Sequence, residues 1–233
     1  MELRILKIKI QKIRNTVQLI FLGLLFTGLY MNLRMGLIIL LPISLLMGNF
    51  FCGWVCPYGA TQEFFRTIGN KIFKKKYKMP KHVQKYLQFS RYILLMFSII
   101  GISTIFFETI NSYKIFMVLG RDISNIIISI SLIIMISFLV ISMLFERPFC
   151  NYVCIEGTKF GLASLTRIFS IKRNGESCIN CKKCDKVCPM NISISDKDSV
   201  RNSQCINCFE CVNACPVKDT LSYGKVKIYF KRN

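Results

Sequence analysis

Hydrophobic positions in the first two thirds of this chain run in long unbroken blocks. No charged residue interrupts Asn15 to Leu33, Met35 to Phe51, Tyr92 to Phe107, or Ile123 to Phe145. Uncharged runs of this length match the apolar thickness of a bilayer, so the pattern predicts about four transmembrane helices, at about 15–33, 35–51, 90–107 and 123–145. The last run, 23 residues long, is the clearest. The second carries Pro42 and Gly48 and the third is short, which suits a kinked, tilted or partly re-entrant segment. Buried helices of a soluble core are the alternative, but four such runs exceed the apolar stripe a small soluble domain needs.

Two other stretches carry true helical periodicity: Phe64, Ile68 and Ile72, and later Leu162, Leu165 and Phe169. These predict helices lying at a membrane surface. Lys74, Lys75, Lys76 and Lys78 follow the first, where a grip on anionic lipid headgroups and a simply solvated charge run fit equally. Each periodic stretch follows a cysteine pair, and the pairs align. Phe51-Cys-Gly-Trp-Val-Cys-Pro-Tyr-Gly-Ala60 matches Phe149-Cys-Asn-Tyr-Val-Cys-Ile-Glu-Gly-Thr158 at the Phe, both Cys, an aromatic, Val and Gly. The simplest construction is two pseudo-repeats of a span, span, CxxxC, helix unit. Beyond Lys172 hydrophobicity falls and cysteine density rises, which divides the chain into a membrane domain, 1–171, and a small tail domain, 172–233.

Charge sets the orientation. Of the 32 Lys and Arg residues, 29 lie before Asn15, within 63–91 or after Phe145, against three in the opposing loops (Arg34, Lys114 and Arg121). The positive-inside rule then places both termini and the tail in the cytoplasm of a multi-pass cell-membrane protein. Only 12 Asp and Glu balance these cations, but the basic residues fall between apolar runs rather than along one aromatic-studded face, so nucleic acid is not an expected partner. Arg4, Lys7, Lys9, Lys12 and Arg14 precede the first apolar run without a small-residue cleavage site, as in a retained signal anchor.

Eight of the 12 cysteines carry the strongest signal. Cys178, Cys181, Cys184 and Cys188-Pro189 have the spacing C-x2-C-x2-C-x3-C-P, and Cys205, Cys208, Cys211 and Cys215-Pro216 repeat it. Three close thiolates wrap one cubane while the fourth reaches across to the other cluster. Cys178, Cys181, Cys184 and Cys215 are therefore expected to hold one [4Fe-4S] cluster, and Cys205, Cys208, Cys211 and Cys188 a second. Backbone N–H groups around Ile179, Asn180, Ile206 and Asn207 are expected to donate to the sulfurs. Zinc fits poorly, since the tail lacks His and holds two complete quartets. A tail of this size with few large apolar side chains needs such a staple to fold.

These elements together resemble the membrane-bound polyferredoxins associated with periplasmic nitrate reductase, and the core is similar to the nitrous-oxide-reductase regulator family. The resemblance spans nearly the whole chain. It implies an α-helical membrane domain joined to an α+β bacterial-type 2[4Fe-4S] ferredoxin domain, and an electron-transfer subunit of a quinol-dehydrogenase-like oxidoreductase system. The implied partners are membrane lipid, other redox subunits, soluble ferredoxin or flavodoxin, and quinone. Cys52-Gly-Trp-Val-Cys56-Pro57 fits the family's C-x3-C-P element, whereas Cys154 is followed by Ile155.

On a helical turn, residues i and i+4 would set both sulfurs of each pair on one face, and the repeat would bring Cys52, Cys56, Cys150 and Cys154 together. A third Fe-S cluster, a soft metal such as Cu(I), and reversible dithiol chemistry are all open to four such thiols, as is a plain apolar packing role. Trp54, Tyr58 and Tyr152 suit either a quinone ring or an interfacial anchor. There is no C-x-x-C-H site and His82 is the only histidine, so bis-His haem is excluded within the chain; no Gly-rich dinucleotide fingerprint or P-loop appears. Two competing functions share these motifs. One is a copper reductase like the cytochrome-oxidase-assembly polyferredoxins; the other is an iron-sulfur redox sensor.

Overall fold

Helices of this chain turn their polar faces inward. The computed structural model describes residues 2–26, 37–74, 77–100, 116 and 130–226. Helix α1 (Glu2–Phe26) buries Arg14 and Gln18 while exposing Ile13, Leu19 and Ile20. Helix α2 (Leu37–Met47) leads to a single wide π-type turn, Phe51–Val55, and then to α3 (Pro57–Phe73). In α3, Gln62 and Arg66 are buried and Phe64, Ile72 and Phe73 are exposed. Helix α4 (Lys81–Ile100) repeats the inversion, burying Gln84 and Arg91 but exposing Tyr86, Phe89, Met96 and Ile99. Water would penalise that arrangement, because large apolar patches on a soluble surface are rare.

The second half follows the same plan in shorter pieces. Helix α5 (Ile130–Ile141) precedes α6 (Pro148–Tyr152), α7 (Ile155–Ala163) and one 3-10 turn, Ser164–Thr166. Phe51, Cys56, Tyr58, Phe149, Cys154 and Phe160 meet in a core between the two halves, where Phe51 stacks on Phe160 at 4.9 Å and Tyr58 meets Phe149 edge-on at 5.1 Å. Each copy's leading Phe thus packs on an aromatic ring that follows the cysteine pair of the other copy.

In the tail, β1 (Phe169–Arg173) pairs antiparallel with β2 (Leu221–Lys225), from Phe169 opposite Lys225 to Arg173 opposite Leu221. Between them lie two one-turn helices, α8 (Lys183–Val187) and α9 (Glu210–Ala214), each inside one cysteine run. The two runs bend alike: Asn180 and Lys182 in the first, and Asn207 and Phe209 in the second, all have φ between 49 and 58°. Asn tolerates this left-handed region better than most residues. Ile171, Met190, Ile192, Ile194, Val200, Ile206 and Leu221 fill the small core behind the cysteines. Helix α1 packs on α3, on the π-type turn and on α9, so the tail is docked against the first helix.

Among the described residues no helix is long and apolar enough to cross a membrane. The first half of α1 is charged and α4 opens on Lys81, which lowers their apolarity. All four expected spans also run into residues outside the described set: 27–33, 35–36, 101–107 and 123–129.

Candidate functional site

The cysteines converge in three groups. One cavity is lined by Cys178, Cys181, Cys184 and Cys215, a second by Cys188, Cys205, Cys208 and Cys211, and a third by Cys52, Cys56, Cys150 and Cys154. In the tail the triplet loops supply three walls and the residue before each proline crosses to the other cavity. All 12 thiols are free.

Local geometry of the CxxxC pairs differs from the expectation of two sulfurs on one helical face. Cys52 sits in the π-type turn, whereas Cys56 closes that turn in an extended conformation (φ −65°, ψ 111°) and caps the N-terminus of α3. Pro57 explains the break, since it occupies the first helical position, where no N–H is needed. The second copy does the same without proline. Cys150 lies in α6 and Cys154 (φ −66°, ψ 109°) caps α7, with Ile155 in the first helical position. A backbone N–H answers the capping sulfur of the second copy, Gly157 donating to Cys154 Sγ at 3.2 Å, whereas Cys56 stands at its cap without a side-chain hydrogen bond. A Cβ built on Gly157 would lie 3.4 Å from Cys154 Sγ and 3.7 Å from Cys52 Sγ, so the missing side chain leaves open the space between sulfurs of the two halves.

Burial holds these thiols protonated while nothing binds them. It pushes Cys52 up to about 11, with the Cys150 thiol adding to the effect, and it raises Cys56, Cys150 and Cys154 as well. In the tail, burial likewise pushes Cys188 up to about 11 and Cys208 up to about 12. Cys178, on the surface, moves the other way because the Asn180 N–H donates to its sulfur. Ile192 N–H donates to Cys188 Sγ at 3.4 Å. Loading a metal therefore displaces protons from most of these positions, and affinity should rise with pH.

Arginines surround the third cavity, and sequence reasoning read them only as orientation charges. Arg14, Arg91 and Arg147 are at most 1% exposed. Arg14 Nε donates to the Gly53 carbonyl at 3.0 Å and Arg147 Nη1 to the Cys52 carbonyl at 2.8 Å. Glu63 joins them, with Oε2 2.5 Å from Arg14 Nη2 and 2.7 Å from Arg147 Nη2. Burial alone would raise the Glu63 carboxyl, but the two guanidinium groups outweigh it and hold the group down at about 2. Arg14 also reaches Glu210 of α9 at 3.2 Å. The missed signal was position: Arg14, Arg91 and Arg147 each stand at the edge of an uncharged run, immediately or almost so, where a buried structural cation and a cytoplasmic flank look alike.

Other single-residue expectations were redirected in the same manner. Lys78 is not placed for lipid: its Nζ donates to the carbonyls of Asp185 and Cys188, both at 2.9 Å. Trp54 Nε1 donates to the Asn207 carbonyl at 2.9 Å and its ring joins Phe50 and Phe209, so it ties the first CxxxC turn to the tail. Tyr58 is enclosed in the core. His82 stands beside Tyr86 at 5.2 Å between ring centres. Lys75 and Lys76 lie outside the described residues.

The cavities abut. Met190 and Ile206 line both the second and the third, and Cys184 and Cys215 of the first pack against the core that holds Cys188 and Cys211. Gly53 permits the closest approach, since a Cβ there would sit 2.1 Å from the Ile206 carbonyl oxygen. Among the described residues no three His, Cys, Asp or Glu side chains come close enough to share one metal ion. A single tetrahedral ion would draw its sulfurs to roughly 3.8 Å from one another, whereas thiols ringing a space suit a cluster with one iron behind each sulfur.

A site of this kind defines an iron-sulfur electron-transfer protein. The family described as "4Fe-4S binding domain" matches residues 29–80 and 129–172, the two stretches that carry the CxxxC pairs, and "4Fe-4S dicluster domain" matches 170–216. Putative electron transport protein YccM of Escherichia coli is 34% identical over 71% of this chain and 48% of its own length. Uncharacterized protein MJ0750 of Methanocaldococcus jannaschii is 32% identical over 69% of the chain and 67% of its own. Ferredoxin-type protein NapH of Haemophilus influenzae is 27% identical over 65% and 51%. The chain thus spans about half the length of the first and last of these relatives. No solved structure matches it. The chain belongs to the membrane-bound polyferredoxin family that its motifs resemble.

Proposed function

We infer that this chain is a membrane-embedded electron conduit whose tail cysteines hold two [4Fe-4S] clusters and whose CxxxC cysteines hold a third redox centre of the same type. The observation that carries the reading is the shared wall: Met190 and Ile206 line both the second tail cavity and the CxxxC cavity. [4Fe-4S] clusters supply one-electron carriers when bound. The chain's own residues do the rest. Cys188 and Cys215 cross-link the two tail loops, Gly53 lets the first CxxxC turn lie against Ile206, and Trp54 and Lys78 fasten the two parts together. Apolar packing around Ile171, Met190 and Ile206 keeps water from the inner two cavities.

In this reading residues 1–171 form the membrane domain, 172–233 the ferredoxin domain, and both termini face the cytoplasm. Inverted polarity supports it, because α1, α3 and α4 expose apolar side chains that a lipid phase would cover. Electrons enter at the outermost tail cavity. Cys181 is exposed there, Ile179 is 64% exposed, and Lys182, Lys183 and Lys186 stand around them, a surface suited to an acidic ferredoxin or flavodoxin. The name of the Escherichia coli relative, putative electron transport protein YccM, agrees with this assignment. A quinone or another redox subunit would exchange electrons at the membrane end.

The test is reduction of anaerobic full-length protein by a limiting amount of reduced flavodoxin, read by low-temperature EPR. Signals from the tail and from the CxxxC site are expected, the latter absent when Cys52, Cys56, Cys150 and Cys154 are all changed to Ser. Cys211→Ser should slow the appearance of the CxxxC signal. No signal dependent on those four cysteines would sink the conduit.

A further inference from the structure

Arg91 is a fully buried cation without a carboxylate partner among the described residues. It stands on α4, is 1% exposed and lines the CxxxC cavity. Its Nη1 donates to Gln204 Oε1, next to Cys205. Its Nε and Nη2 have no hydrogen-bond partner. Glu156, the acidic residue on that cavity's wall, is paired with Lys159 at 3.0 Å. Arg147 contrasts with it, since Glu63 already neutralises that guanidinium. The Tyr92 ring, 5.2 Å from the guanidinium carbon, offsets part of the burial, but two idle N–H groups remain costly unless an anion answers them. The anion the cavity can offer is its four cysteines once a bound centre has displaced their protons.

We propose that Arg91 is a positioning residue that donates Nε–H and Nη2–H into the CxxxC site and raises the reduction potential of the centre there above those of the tail, drawing electrons inward. The assignment rests on the reading of that quartet as a cluster site. Its physical basis is general: a sulfur-ligated cluster gains negative charge on reduction, so a nearby cation and added hydrogen bonds favour the reduced form. In the outermost tail cavity the cations are offset or solvated: the Asp185 carboxylate lies beside Cys184, held there by Ile194 N–H and Ser195 N–H, Arg173 pairs with Asp198 at 3.7 Å, and Lys182 and Lys183 are exposed. Gly161 leaves space for the guanidinium, since a Cβ there would be 3.1 Å from Nη2.

The experiment is an EPR-monitored potentiometric titration with iron analysis of anaerobic full-length protein, for the wild type, Arg91→Gln and Arg91→Lys. The signal is assigned by its loss in the variant with Ser at positions 52, 56, 150 and 154. The expected result is a more negative midpoint for that signal alone in Arg91→Gln, a smaller displacement in Arg91→Lys, and unchanged tail midpoints. Selective iron loss from that site in Arg91→Gln but not in Arg91→Lys also supports compensation by charge. An unmoved midpoint in iron-replete Arg91→Gln overturns the proposal, as does equal iron loss in both variants, which would make Arg91 a mere tie between α4 and Gln204. A wild type without any signal dependent on the four cysteines removes the cluster reading itself.

Discussion

Glu63 holds two buried guanidinium groups at once, and removing its charge leaves Arg147 without a carboxylate among the described residues and Arg14 with Glu210 alone. Glu63→Gln is expected to destabilise the protein by about 2–4 kcal/mol, read as a lower melting temperature in detergent. The sign of the pH effect follows from the carboxyl being held at about 2 against an ordinary value of 4.5. Its contribution is complete above the ordinary carboxylate range and is lost as pH falls toward about 2. The gap between wild type and variant should therefore be constant from about pH 6 to 9; a gap that closes in that window would contradict the ion-pair assignment. Gly53→Ala makes a separate case, since its Cβ would strike the Ile206 carbonyl at 2.1 Å. It is expected to cost iron at the CxxxC site while the tail remains loaded, and wild-type iron content would contradict the close contact. These residue roles were partly hidden in sequence. Cysteine spacing announces itself, whereas Arg91 or Gly53 acquires meaning only when a segment more than a hundred residues away lies against it.

At the scale of elements, the second CxxxC copy shows why a local motif underdetermines geometry. It lacks the proline of the first copy, yet Cys56 and Cys154 share backbone angles within 2° and each stands at a helix N-cap three residues before a glycine. The extended N-cap position of the second cysteine is what the two copies have in common, and proline at the first helical position is an option rather than a requirement. The first periodic stretch was legible as a helix, and α3 exposes the face it marks, whereas the second breaks up, with Leu162 in α7, Leu165 in the 3-10 turn and Phe169 in β1. Phe64 is 63% and Ile72 60% exposed, with Gln62 and Arg66 turned inward. Fluorescence added by Phe64→Trp should be quenched in liposomes by lipids brominated on their acyl chains; unquenched emission would remove α3 from the bilayer surface. Lys78 was not legible in this way, because its partners are backbone carbonyls of the tail, which no side-chain pattern reveals.

For the whole molecule, the tail quartets and the repeat could be read from spacing alone, but their juxtaposition could not. Docking of α9 on α1, through Arg14 and Glu210, turns two separate motifs into one row of three cavities. The outer end of that row is basic and partly apolar, so reduction by an acidic flavodoxin should slow as salt rises. Lys182→Glu with Lys183→Glu should slow it further and flatten the salt dependence; an unchanged profile would place electron entry elsewhere. The account as a whole stands on what the four CxxxC cysteines bind. Iron, sulfide and copper analysis of anaerobically purified full-length protein, beside the variant with Ser at Cys52, Cys56, Cys150 and Cys154, tests this most directly. Three [4Fe-4S] sites predict about twelve irons per chain, falling to about eight in the variant, with no copper in either. About eight irons in both, or copper that follows those four cysteines, would contradict it.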